Sequence, residues 1–141
     1  MRAIVIYESL TGNTRTAAEA LARGLTAKGV GTVACPITRI DYQALSEADL
    51  VVVGSWVDGL FVVGQRPGRV GRIAQLPALA GKRAIVYLTY ALHPGKALQK
   101  LSDTVAARGA DVLGGVTIRR DRITSGVDDL VDRILDAVAP A

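Results

Sequence analysis

Hydrophobic positions along this chain follow two rhythms. Ala3–Tyr7, Thr32–Ile37, Leu50–Gly54, Arg83–Thr89 and Asp111–Ile118 are short runs rich in Val, Ile and Leu. Ala3–Tyr7 is apolar at every position, the mark of a strand buried on both faces. Arg15–Leu25 instead spaces Ala17, Ala18, Leu21, Ala22 and Leu25 for a helix, and Lys28-Gly29 closes it with a cation and a glycine. Gly95–Arg108 aligns Ala97, Leu98, Leu101, Val105 and Ala106 on one face, and Gly109 stops it. Asp128–Val138 turns Leu130, Val131, Ile134, Leu135 and Val138 inward and Asp129, Asp132, Arg133 and Asp136 outward. Gly68–Gln75 is a weaker helix because it contains Gly68 and Gly71. Ser55–Pro67 reads as a long loop. Alternating strands and helices imply an α/β fold: a five-stranded parallel sheet with helices on both faces and right-handed crossovers.

Composition narrows the choices. With 141 residues, half of them hydrophobic, the chain can bury a core as one domain over 1–141, which excludes intrinsic disorder. Aromatics are only 4%, so aliphatic side chains must fill that core. The lone Cys35 excludes an intramolecular disulfide and a Cys-based zinc site, and it suits a reducing, cytoplasmic setting. The lone His93 excludes a multi-histidine metal centre. The apolar run near the start ends at Glu8, too soon for a signal segment. The longest apolar stretch, Leu50 to Gly64, is interrupted by Asp58 and glycines, so no membrane span is expected.

Charge adds one feature. The net charge is +4, yet no carboxylate occurs between Asp58 and Asp103. That gap holds Arg66, Arg69, Arg72, Lys82, Arg83, Lys96 and Lys100. Arg66–Arg72 and Arg119–Arg122 would suit phosphates, but six aromatics leave little for base stacking. Nucleic acid is therefore not the expected partner.

Ligands of such sheets bind outside the carboxyl ends of the strands. Three loops qualify: Glu8–Thr14, Gly54–Gly64 and Thr89–Gly95. In the first, Ser9-Leu10-Thr11-Gly12-Asn13-Thr14 packs three hydroxyls and a glycine between a buried strand and a helix. Converging backbone N–H groups and the helix dipole suit a phosphate there. No Gly-Lys-Ser/Thr and no G-x-G-x-x-G is present, so this is neither a nucleoside triphosphate loop nor a dinucleotide fingerprint. An ordinary capped helix start remains the plain alternative.

Ile4 through Thr14, a strand followed by [Ser/Thr]-x-[Ser/Thr]-Gly-x-Thr, resembles the opening of the flavodoxin family. The order and spacing of the remaining elements resemble a short-chain member. The resemblance implies a flavodoxin-like three-layer α/β/α fold with strand order 2-1-3-4-5, and flavin mononucleotide (FMN) held with its phosphate in Ser9–Thr14. It further implies that the second loop brings Ser55, Trp56 and Gly59 to the flavin, with Trp56 against the ring. The third loop would bring Thr89, Tyr90 and His93, with Tyr90 as a second aromatic. That loop carries no carboxylate, unlike the family's usual pattern, and the family is typically acidic where this chain is basic.

The expected function is accordingly an FMN-binding electron carrier or a small flavin-dependent reductase. Its partner would be a redox protein or a small acceptor, acidic or anionic in character. Cations near the flavin would stabilise its reduced, anionic form. The alternative is a binding or regulatory module on the same fold that has lost flavin and works through its basic face. Leu60-Phe61-Val62-Val63 in the second loop would be packing or a contact surface.

Overall fold

The structure, a computed structural model, describes residues 1–58 and 64–139. The expectations for Gly59 and for Leu60 to Val63 lie outside the described residues.

Among the described residues six strands form: β1 (Arg2–Tyr7), β2 (Gly31–Pro36), β3 (Leu50–Asp58), β4 (Arg66–Pro67), β5 (Arg83–Tyr90) and β6 (Asp111–Arg119). Five α-helices accompany them, α1 (Asn13–Ala27), α2 (Tyr42–Glu47), α3 (Val70–Ile73), α4 (Ala97–Ala106) and α5 (Ile123–Val138), with one turn of 3-10 helix at Ile37–Arg39. The sheet order is β2-β1-β3-β5-β6, all parallel, with β4 attached to β3. This is the doubly wound order expected from sequence, plus one short antiparallel strand.

Alternation along the central strands sends side chains to opposite faces. Val5, Tyr7, Val52, Ile85 and Tyr87 pack beneath Leu21 and Leu25 of α1 and Leu130 and Ile134 of α5. Ile4, Ile6, Val51, Val53, Val86 and Leu88 face Leu45 of α2, Ile73 of α3, and Leu101 and Val105 of α4. Both sets are buried, so the strands had to be apolar throughout. Cys35 sits in the second set, and burial pushes its thiol up.

Two sequence expectations need correction. Ser55–Pro67 is not one loop, because β3 continues to Asp58 and pairs with β4 through Val57–Pro67 and Asp58–Arg66. Helix α2 fills the connection between β2 and β3, for which the hydrophobic pattern marks no bounds. Its six residues hold one buried apolar side chain, and Asp41 caps it by accepting from the Ala44 amide at 3.0 Å. Helix α5 begins at Ile123 rather than Asp128. Gly126 hid that first turn, and it is glycine because a Cβ there would meet Ile118 Cγ2 at 2.7 Å.

Candidate functional site

The first loop is tied into the sheet from both sides. The Glu8 amide donates to the Gly54 carbonyl at 2.9 Å, which extends the β1–β3 pairing by one residue. Gly12 then turns the chain with φ +98°, a left-handed conformation that favours glycine. The Ser9 hydroxyl accepts from the Gly12 and Arg15 amides at 3.2 and 3.3 Å. No side chain of Gly12, the residue at the helix start, can cap α1. The amides of Asn13 and Thr14 have no intrahelical partner, and neither is bonded among the described residues. Asn13 Nδ2 reaches Thr11 Oγ1 at 3.5 Å. Leu10 and Thr11 are exposed.

Thr14 points the other way. It is buried, its hydroxyl shares a 2.9 Å hydrogen bond with that of Thr89, and its carbonyl accepts from the Tyr87 hydroxyl at 2.9 Å. Burial pushes the Tyr87 phenol far above its ordinary value, so it remains a donor at any ordinary pH. The first loop is thus pinned to β5 by two buried bonds.

The hairpin of β3 and β4 builds the second wall. The Gly68 amide donates to the Trp56 carbonyl, and the Ser55 hydroxyl donates to the Gly68 carbonyl, both at 2.7 Å. Ser55 is fully buried and fastens this turn. The Trp56 ring lies so close over Gly68 that a Cβ there would overlap it. The third wall follows β5: Thr89 is buried, Tyr90 half-buried, and His93 exposed. The Tyr90 carbonyl accepts from the Arg120 amide at 2.8 Å, which joins the end of β6 to this loop.

These walls enclose a cavity of about 560 Å³, a size that suits a cofactor. Of the residues singled out from sequence, Leu10, Thr11, Asn13, Thr14, Trp56, Thr89, Tyr90 and His93 line it. Ser9, Gly12 and Ser55 do not; they shape the turns behind it. Sequence reasoning missed Val57, Asp58, Gln65, Ala91, Leu92 and Arg120. Arg120 carried a usable signal, since it follows the carboxyl end of the fifth parallel strand.

None of the seven cations of the charge gap lines the cavity. Arg66 lies 3.4 Å from Asp58, Arg69 and Arg72 bind Glu8, Lys82 Nζ donates to the Ala48 carbonyl, and Lys100 Nζ to that of Gln65. Among the described residues the cavity's guanidinium is Arg120 and its carboxylate is Asp58.

Among the described residues no helix is long and apolar enough to cross a membrane, and no group of three or more His, Cys, Asp or Glu could hold a metal. No curated protein matches the chain significantly. Solved structures do. A flavodoxin from Pseudomonas aeruginosa superposes with a TM-score of 0.75 at 15% identity, covering 99% of this chain and 100% of that one. Oxidised flavodoxin from Bacillus cereus gives 0.73 at 19%, covering 100% and 99%. Rubredoxin oxygen:oxidoreductase from Desulfovibrio gigas gives 0.65 at 16%, with 99% of this chain matching 37% of that one. These likenesses establish the fold. The flavodoxin-domain family model matches residues 4–100, which takes in the first loop and the walls built on β3 and β5. With most of its length matched by that model and its sheet wound in the same order, the chain belongs to the flavodoxin family.

Proposed function

We propose that this chain is an FMN-binding redox protein, an electron carrier or small flavin-dependent reductase, acting as one domain over residues 1–141. One observation carries the reading: the phosphate-type loop, Trp56 and Tyr90 border a single cavity. The residues present fit FMN. Open amides at Asn13 and Thr14, with the Thr11 hydroxyl, suit a phosphate at the positive end of α1. Trp56 and Tyr90 offer apolar faces for a planar ring. Leu10 and Leu92, 61% and 74% exposed, flank the mouth.

Each residue then has a role. Thr11, Asn13 and Thr14 hold the phosphate. Ser9 and Gly12 set the turn, and Ser55 fixes the turn behind Trp56. Thr89 locks Thr14 in place, while His93 and Arg120 lie at the open edge. Bound FMN would supply the electron-transfer chemistry, and the protein binds, orients and shields it. The partner is a redox protein or small acceptor, and Arg120 at the cavity's edge favours one of acidic or anionic character.

The test is electron release. The chain is loaded with FMN, reduced without oxygen, and mixed with ferricyanide, an anionic one-electron acceptor. The expected result is recovery of the oxidised flavin spectrum with about two ferricyanide ions consumed per flavin. A chain that takes up no flavin, or whose reduced flavin gives nothing to ferricyanide, contradicts the proposal.

A further inference from the structure

Glu8 is an unusual neighbour for an anion-binding loop. It directly precedes Ser9, is only 4% exposed, and would add negative charge where a phosphate is expected. Its Oε1 is bound by Arg69 Nη1 at 2.8 Å and approached by Arg72 Nη1 at 3.4 Å. Its Oε2 has no hydrogen-bond partner among the described residues. Arg69 thus makes the closer of the two ion pairs that compensate this buried carboxylate.

That same guanidinium has a second contact. The Arg69 Cζ lies over the Trp56 ring, 5.5 Å from its centroid. This is cation–π distance. Arg69 is also the single non-glycine residue with positive φ among the described residues, at +49°. Such a conformation persists in a non-glycine residue where the surroundings enforce it. Here the surroundings are the Gly68 bonds to Trp56 and Ser55 on one side and Glu8 on the other. Trp56 lines the cavity, whereas Gly68 and Arg69 do not.

We propose that Arg69 is a positioning residue: held by Glu8, it fixes the Trp56 indole from the side away from the cavity and so sets the wall against which a planar ring stacks. Glu8 thereby links the phosphate-type loop to that wall. The part concerning FMN rests on the proposed function; the clamp on Trp56 does not.

Trp56 is the only tryptophan, so its fluorescence reports the clamp directly in the full-length chain without flavin. Arg69→Lys keeps a cation beside Glu8 and the same backbone strain, but removes the planar group over the indole. It is expected to keep the parent's thermal midpoint, to raise acrylamide quenching of Trp56 roughly twofold or more, and to weaken FMN by up to about tenfold. Glu8→Gln, which loosens the guanidinium while leaving it present, should move the quenching in the same direction. Parent-like quenching in both folded variants overturns the proposal, because Arg69 would then only neutralise Glu8. Raised quenching with unchanged FMN affinity overturns it too, since the clamped ring would not be the one flavin meets. A parent that binds no FMN, with quenching raised in both variants, removes the functional reading and leaves the clamp standing.

Discussion

Thr11→Glu is expected to weaken FMN on the order of a hundredfold while leaving riboflavin, which lacks the phosphate, almost unaffected. Thr11 is exposed, lines the cavity, and shares only a 3.5 Å contact with Asn13. The substitution therefore has little to disturb in the fold. A carboxylate about 4–5 Å from a bound phosphate experiences roughly 3–4 kcal/mol of repulsion per unit charge at an intermediate dielectric. That corresponds to about two to three orders of magnitude in affinity, the lower end applying at this exposed position because salt and water screen the charge. Parallel titrations with the two ligands measure the difference. Equal losses for FMN and riboflavin would mean that the loop does not grip the phosphate.

Gly54→Ala should cost about 3 kcal/mol in urea unfolding, the upper end for overpacking. Gly54 lies at the centre of β3, paired with Tyr7 on one side and Tyr87 on the other. A Cβ there would overlap the Tyr87 ring. Tyr87 has nowhere to go: it is fully buried, and its hydroxyl is held by the Thr14 carbonyl. Any shift of the ring breaks that bond and frees the start of α1, so the variant should lose FMN affinity as well as stability. A folded, stable variant with parent affinity would show that the Tyr87–Thr14 bond does not position the loop.

Legibility in the sequence followed the range of the interactions. The central strands β1, β3 and β5 were readable because each is buried on both faces, which writes hydrophobicity into nearly every position. The edge strands β2 and β6, largely half-buried or exposed, were readable only as short Val- and Ile-containing runs between helices. The first loop was readable because Ser9 through Thr14 act together within six consecutive residues. The β3–β4 hairpin was not, because its pairing covers two residues and one of them is Pro67, a poor strand former. With the hairpin unseen, the Gly68–Arg69 turn behind Trp56 also stayed hidden, since nothing local marks Glu8 as the partner of a side chain sixty-one positions away. Arg120 reaches the cavity through a backbone bond to Tyr90, thirty residues earlier. The placement of the basic stretch was not legible for the same reason: Arg66, Arg69, Arg72, Lys82 and Lys100 are taken up by Asp58, Glu8 and carbonyls that lie apart in sequence.

The most direct measurement is a titration of the flavin-free chain with FMN, followed by the emission of its single tryptophan. Saturable quenching at one FMN per chain in the micromolar range or below is expected, because the ring would come to rest against Trp56. Emission that stays unchanged up to high micromolar FMN, from a chain shown to be folded, would contradict it.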